Sequence, residues 1–289
     1  MAEISAAMVM ELRKMSGQGM MDCKKALGET DGDLEKAMEL LRKKGLATLA
    51  KRAGRETSEG IVITKSSDDG KTVCMVTLCC ETDFVAKSEG FVETTETLAD
   101  YALVCSADEG ADNVLETEID GKKFSKCLTD LVSKTGEKTE VGGYAKYTLD
   151  SAGLICTYIH FNKKIGAMVQ IETSDDNVAA ADSLKQVAVD VAMHITAIKP
   201  LALNRDGIDP ETVEKEKAIF AEQVKGKPEN IIEKIVEGKL KKFYGENCLL
   251  DQPFVKDDSK TVTEVIEQAA KDAGGEAKLT KFIRLSVEE

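Results

Sequence analysis

Residues 60–87 read GIVITKSSDDGKTVCMVTLCCETDFVAK, and residues 153–180 read GLICTYIHFNKKIGAMVQIETSDDNVAA. Each stretch opens on a glycine, runs through apolar and β-branched residues, turns, and returns along a second apolar run that closes on Glu-Thr, at Thr82 and at Thr173. The first turn, SDDGK, carries the Asp-Gly pair that favours a tight hairpin, and HFNKK places Asn162 in the same role. His160 is therefore expected at a hairpin tip. Beyond each hairpin the apolar spacing becomes helical, with Phe91, Leu98 and Ala102 in the first copy and Leu184, Val191 and Ile195 in the second. Gly60 to Gly153 and Phe91 to Leu184 are both separations of 93 residues. Hairpin then helix, written twice, predicts a duplicated α+β unit.

Upstream, residues 1–54 read as three short helices. Ser5 can cap the first, whose apolar positions are Met8, Val9, Leu12 and Met15, with Gly17 and Gly19 punctuating its end. MMDCKKAL is the second, and Asp33 can cap a third, DLEKAMELLRKK, expected to stop at Gly45. Each is too short to be stable alone, so the three are expected to pack as a bundle. A charged, glycine-containing linker is expected near residues 51–59. Between the copies, FSKCLTDLVSK predicts a helix and EVGGYAKYTL a strand. After the second copy, Asp209 and Pro210 form an N-cap and N1 pair, KGKP at 225–228 reverses the chain, and NIIEKIVEGKLKKFYGE returns. This predicts a helical hairpin at about residues 209–246, and FIRLSV predicts a final short strand. The expected fold class is α+β, with a bundle over 1–54 and core subdomains over 55–149 and 150–289, the helical hairpin being inserted in the second.

The 289 residues are 42% hydrophobic, enough to bury a core, and carry a net charge of −13. That charge argues against an electrostatic footprint on nucleic acid or an anionic membrane, so proteins are the expected partners. Residues 1–54, with 10 Lys and Arg against 8 Asp and Glu, are mildly basic within an otherwise acidic chain. No apolar run approaches the length of a membrane span and the start has helical periodicity, so a cytoplasmic chain is expected. Eight cysteines without CxxC spacing read as reduced core residues, and two histidines 34 positions apart offer no zinc-like pattern. Neither a phosphate-cradling glycine motif nor a GxSxG nucleophile elbow occurs. The expectation is a chain that is not an enzyme, with no catalytic residue, no metal and no cofactor.

Four features still ask for a choice. The vicinal Cys79-Cys80 pair invites redox chemistry, but neighbouring side chains in a strand point to opposite faces, which suits two small residues filling two sides of a covered strand. His194 lies on the apolar stripe of the second copy's helix, where it reads as a satisfied core histidine. Phe84 is the one large ring at the strand-to-helix junctions; the second copy has the polar Ser174-Asp175-Asp176-Asn177 there. The ring either packs back on its own domain or stands out as an aromatic anchor beside Asp83. Of the adjacent Met20 and Met21, one has to point away from the bundle core, as a protein-binding face or as a loosely packed surface residue.

These residues carry a resemblance. GQGMMDCKKAL, TDFVAK, YIHFNKKIG, AMHITAIKP, KKFYGENCLLDQPFV and FIRLSV are similar, in order and over essentially the whole chain, to the signatures of the bacterial-type elongation factor Ts family. The resemblance implies a guanine-nucleotide exchange factor for elongation factor Tu in translation elongation. It implies that the N-terminal bundle is UBA-like and docks on the partner's GTPase domain through positions matching Arg13, Met20 and Met21. It further implies that Thr82, Asp83, Phe84 and Val85 enter that domain and disturb its bound magnesium, with His160 near the same contact. The helical hairpin is implied to make further contacts, among them to a second copy of the chain as a homodimer. A ubiquitin-associated-type adaptor, resting on the three-helix N-terminus alone, is the alternative from another class.

Overall fold

The computed structural model describes residues 4–16, 18–226 and 228–288, with the side chains at 46, 48–50, 229 and 230 outside that description. Gly17, and Lys227 of the KGKP turn, also lie outside it. Three helices lead the chain: α1 (Ala6–Ser16), α2 (Met20–Glu29) and α3 (Leu34–Arg52). The first hairpin pairs β1 (Glu59–Ser66) with β2 (Thr72–Cys80), followed by the single turn α4 (Asp83–Ala86) and α5 (Glu89–Val104). Next come α6 (Ala111–Glu116), the ribbon β3 (Glu118–Ile119) with β4 (Lys122–Lys123), α7 (Phe124–Thr135) and β5 (Thr139–Thr148). The second hairpin is β6 (Gly153–Ile159) with β7 (Ile165–Thr173), followed by α8 (Asp176–Ala180) and α9 (Asp182–Ile198). Then α10 (Pro210–Gln223) and α11 (Glu229–Asn247) form the helical hairpin, and β8 (Pro253–Phe254), β9 (Asp257–Thr261), α12 (Val262–Asp272) and β10 (Ala277–Ser286) complete the chain. The fold is α+β, with sheets ordered β1-β2-β5 and β10-β7-β6.

The caps act as their residue types require. Ser5 Oγ accepts from the Met8 N–H at 3.2 Å, Asp33 from the Lys36 N–H at 3.0 Å, and Asp209 from the Glu211 N–H at 3.2 Å ahead of Pro210. Val9, Leu12, Cys23, Leu27 and Leu41 form the shared core of the first three helices. The third helix departs from expectation by running through Gly45 to Arg52. Gly45 is a point of close approach rather than a stop: a Cβ there would lie 1.7 Å from Ser133 Oγ and 3.1 Å from the Thr129 carbonyl oxygen, both in α7. Gln18, in the α1–α2 connection, adds a second link to α7: the Ser133 carbonyl and the Lys134 N–H require its amide nitrogen to face the former and its oxygen the latter, and in that orientation it donates at 2.7 Å and accepts at 3.2 Å.

The duplication holds to the level of register. Ile61 pairs with Leu78, and Leu154 with Ile171, so all four positions shift by 93. Each copy opens on a glycine whose Cα lies against the facing strand; a Cβ at Gly60 would meet the Leu78 carbonyl at 2.1 Å, and one at Gly153 the Ile171 carbonyl at 2.5 Å. Phe91, Leu98 and Ala102, and their counterparts Leu184, Val191 and Ile195, are all fully buried. This register corrects the matching of the two Glu-Thr pairs. Cys79-Cys80 is the counterpart of Glu172-Thr173, while Thr82 corresponds to Asp175, each the N-cap of a short helix. The strand-to-helix junctions therefore have equal length. A slip of two residues keeps every side chain on its own face of the sheet, so apolar alternation alone does not reveal it.

The chain divides into two compact units: Met1–Lys146 with Phe161–Ile165 and Leu285–Glu289, and Tyr147–His160 with Gly166–Arg284. In the first, Val76, Leu78, Phe91, Leu98 and Phe124 lie at the centre of the core. In the second, Ile171, Leu184, Ile195, Ile266 and Leu279 do so. Within the second unit, α10 buries no residue completely, and its Phe220 receives Lys239 of α11 at 5.5 Å from the ring centroid. Among the described residues no helix is long and apolar enough to cross a membrane.

Candidate functional site

Strand β2 is covered up to its last residue, so the chain beyond it departs from a rigid end. Cys79 and Cys80 are buried, and burial pushes their thiols up to about 11 and about 12. The Cys79 sulfur lies against Gly142 of β5, where a Cβ would meet it at 2.6 Å, whereas Cys80 belongs to the core and donates to the Thr82 carbonyl at 3.2 Å. Two thiols on opposite faces, held protonated at neutral pH, are structural rather than reactive.

The next two residues are clasped by their side chains and backbone to residues 137 and 138. The Glu81 carboxylate accepts the Lys138 N–H at 2.6 Å, while Thr82 donates its N–H and its hydroxyl to the Glu137 carboxylate at 3.0 and 2.8 Å. Arg52, at the end of α3, and Arg55, in the segment that follows it, both reach Glu81 at 2.7 Å. Burial favours the neutral acid here, but the Lys138 N–H and the two guanidinium groups outweigh it and hold Glu81 at about 2.

Thr82 then caps α4, its hydroxyl accepting the Val85 N–H at 3.4 Å, and Ser88 closes the turn by donating to the Val85 carbonyl at 2.7 Å. Val85 is partly buried against the core and Ala86 is buried, which turns Asp83 and Phe84 outward. Phe84 stands 84% exposed, so its ring does not pack back on its own domain. Asp83 accepts from Lys87 at 2.7 Å, a bond that holds its carboxyl below the ordinary range. In the second copy the same frame ends differently: Asp175 caps α8 through the N–H groups of Asn177 and Val178 at 2.9 and 3.2 Å. The position equivalent to Phe84 is Asn177.

The other expected residues fall elsewhere in the two units. Arg13 is exposed on α1, and Met20 and Met21 are 52% and 76% exposed in the first turn of α2, so both methionines face outward where one was expected to. Met10 and Met15 are exposed as well, which leaves the bundle unusually rich in soft apolar surface. His160 lies at the end of its hairpin as expected, half-buried, with Nδ1 at 3.0 Å from the Tyr158 hydroxyl. The ring displayed at that turn is the neighbouring Phe161, 87% exposed, an aromatic whose position among polar turn residues was a usable signal. Glu137 had no local signal, because its partner Thr82 is 55 residues away. Among the described residues no group of three or more His, Cys, Asp or Glu is placed to hold a metal ion.

A family model described as elongation factor TS matches residues 81–289. A protein named elongation factor Ts from a Nitratiruptor species is 46% identical over 288 residues, covering 99% of this chain and 93% of its own. Proteins of the same name from two strains of Clostridium botulinum, one of type B and one of type A, are 43% and 42% identical, each over 97% of this chain and over 92% and 91% of their own.

Proposed function

The chain belongs to the elongation factor Ts family, and from that premise we propose that it is a guanine-nucleotide exchange factor that binds elongation factor Tu–GDP, dislodges Mg2+ and promotes release of GDP and its replacement by GTP. The observation that carries this is Phe84, a large ring 84% exposed at the head of a turn whose two preceding residues, Glu81 and Thr82, are clasped to Lys138 and Glu137. An apolar ring held outward on a rigid base suits insertion into a partner's pocket. In this proposal Thr82, Asp83, Phe84 and Val85 form the loop that enters the GTPase domain. The exposed Arg13, Met20 and Met21 supply a second docking face, and His160 a third contact. Residues 1–54, 55–149 and 150–289 are taken as the corresponding domains, with a second copy of the chain engaged through the helical hairpin.

No catalytic group is required of such a protein. An exchange factor needs only to bind the nucleotide-free partner more tightly than the nucleotide-bound one, and linkage makes the weakening reciprocal. About 1.4 kcal/mol of differential binding gives tenfold in affinity. The partner's magnesium requires near-ideal octahedral geometry, so a small displacement of its ligands by Asp83 and the turn costs nucleotide affinity. The adaptor alternative rests on the N-terminal helices alone and has no use for the clasped turn.

The test is release of labelled GDP from elongation factor Tu with and without the chain. Acceleration is expected, and the Asp83→Ala/Phe84→Ala double variant is expected to lose it while folding normally. Equal acceleration by that variant would overturn the role of the loop.

A further inference from the structure

The cap of α4 is weak in itself. Thr82 offers one hydroxyl to one N–H at 3.4 Å, whereas the corresponding Asp175 holds two at 2.9 and 3.2 Å with its own carboxylate. A four-residue helix with such a cap has little to fix its direction, yet it carries the exposed Phe84. The missing carboxylate is supplied from outside, by Glu137. Its two oxygens take the Thr82 N–H and hydroxyl at 3.0 and 2.8 Å, so the hydroxyl proton points at Glu137 and a lone pair is left facing the Val85 N–H. Glu137 is itself directed there by the end of α7, where Gly136 takes the left-handed conformation and returns its N–H to the Val132 carbonyl at 2.8 Å. The adjoining Lys138 N–H bonds Glu81 in the opposite sense at 2.6 Å, so the two segments hold each other by reciprocal carboxylate-to-backbone bonds.

We propose that Glu137 is a positioning residue for the Asp83–Phe84 turn: by completing the cap that Thr82 alone makes poorly, it sets the direction in which the Phe84 ring is presented. This deepens the exchange-factor proposal and rests on it for the consequence in exchange, but not for the placement of the ring. Removing the carboxylate leaves the part-buried Thr82 N–H without its acceptor and frees the hydroxyl to rotate. The ring then samples several directions, and the maximal exchange rate falls more than the binding of the partner through other surfaces.

The chain has five tyrosines and no tryptophan, so Phe84→Trp provides a single tryptophan at the site, read by excitation at wavelengths where tyrosine does not absorb. In that background Glu137→Ala is expected to lower the fluorescence anisotropy of the free chain, with Glu137→Gln, which keeps one acceptor oxygen, recovering most of it. With the natural Phe84, Glu137→Ala is expected to lower GDP release at saturating chain by about tenfold, while the half-saturating concentration moves less than about threefold. Unchanged anisotropy, or an unchanged maximal rate when Phe84→Ala remains defective, would overturn the assignment. If the unmodified chain fails to accelerate GDP release, the exchange reading falls, and the anisotropy alone decides for or against Glu137. Should Glu137→Ala not fold, Glu137→Asp, whose shorter side chain withdraws the oxygens, takes its place in both measurements.

Discussion

Arg52, the last residue of α3, donates from one nitrogen to both oxygens of the Glu81 carboxylate, at 2.7 and 2.9 Å. The end of the third helix is thereby tied to the residue that precedes the Thr82 cap. Glu81 is held at about 2 when folded and returns to about 4.5 when unfolded, so its contribution to stability is complete above pH 4.5 and is lost as the pH falls towards 2. Glu81→Gln is expected to cost about 1–2 kcal/mol at neutral pH, a thermal midpoint a few degrees lower. Melting curves taken from pH 7 down to about 3 should show the gap to the unmodified chain closing below pH 4.5. A gap that stays constant through that range would mean the loss is one of packing.

Gly45→Ala tests the approach of α3 to α7. In an exposed helix the change would stabilise, since alanine is the better helix former by about 1 kcal/mol. Here the added Cβ would lie 1.7 Å from Ser133 Oγ, so the helices have to separate. The expected result is a net destabilisation of about 1–3 kcal/mol in thermal unfolding. Ser133→Ala in the same chain should recover part of it and not all, because the Ser133 Cβ and the Thr129 carbonyl remain at 3.0 and 3.1 Å.

The residues that could be read from sequence are those whose cause is local. Ser5, Asp33 and Asp209 cap where their side chains reach the next turn, and Phe91 and Leu184 are buried because helical spacing sets them facing the strands. Helix α12 also had a local signal, the Thr261–Glu264 capping box, although it was not among the expected elements. Gly45 and Glu137 were illegible for a different reason. Their roles are set by Ser133 and Thr82, far away in sequence, and a glycine or a glutamate in isolation fits many environments. The exposure of Phe84 was likewise decided by the clasp that fixes the turn, which is tertiary.

His194 is fully buried, and its bonds prescribe a neutral ring. Gln252 donates to the Glu246 carbonyl at 2.7 Å, which leaves its oxygen to accept from His194 Nε2 at 2.9 Å, while Nδ1 accepts the Val255 N–H at 3.2 Å. Protonation would set two N–H groups against each other at Nδ1. Burial also lowers the tendency of the ring to take a proton, against the smaller opposing effect of Gln252. Stability from the neutral ring is complete above the ordinary value of 6.5 and is lost as the pH falls below it, by up to about 1.4 kcal/mol per pH unit. Thermal unfolding between pH 7.5 and about 5 should show a steeper decline for the unmodified chain than for His194→Asn.

The duplication supplies its own control for Phe84. At the equivalent place in an equivalent turn the chain uses Asn177, and the following valine and alanine occupy the same inward positions in both copies. Phe84→Asn therefore installs a side chain that this frame already accommodates. With the ring 84% exposed, thermal stability is expected to change by no more than about 0.5 kcal/mol, and solubility to rise. If the ring serves elongation factor Tu, acceleration of GDP release should fall by at least about tenfold, since each 1.4 kcal/mol of lost differential binding costs that factor. Loss of exchange with stability retained separates the ring's role from that of the turn beneath it, which Phe84→Asn leaves in place. Exchange that survives the substitution at full rate would move the work to Asp83 and the backbone of the turn, and leave the exposed ring without a part in it.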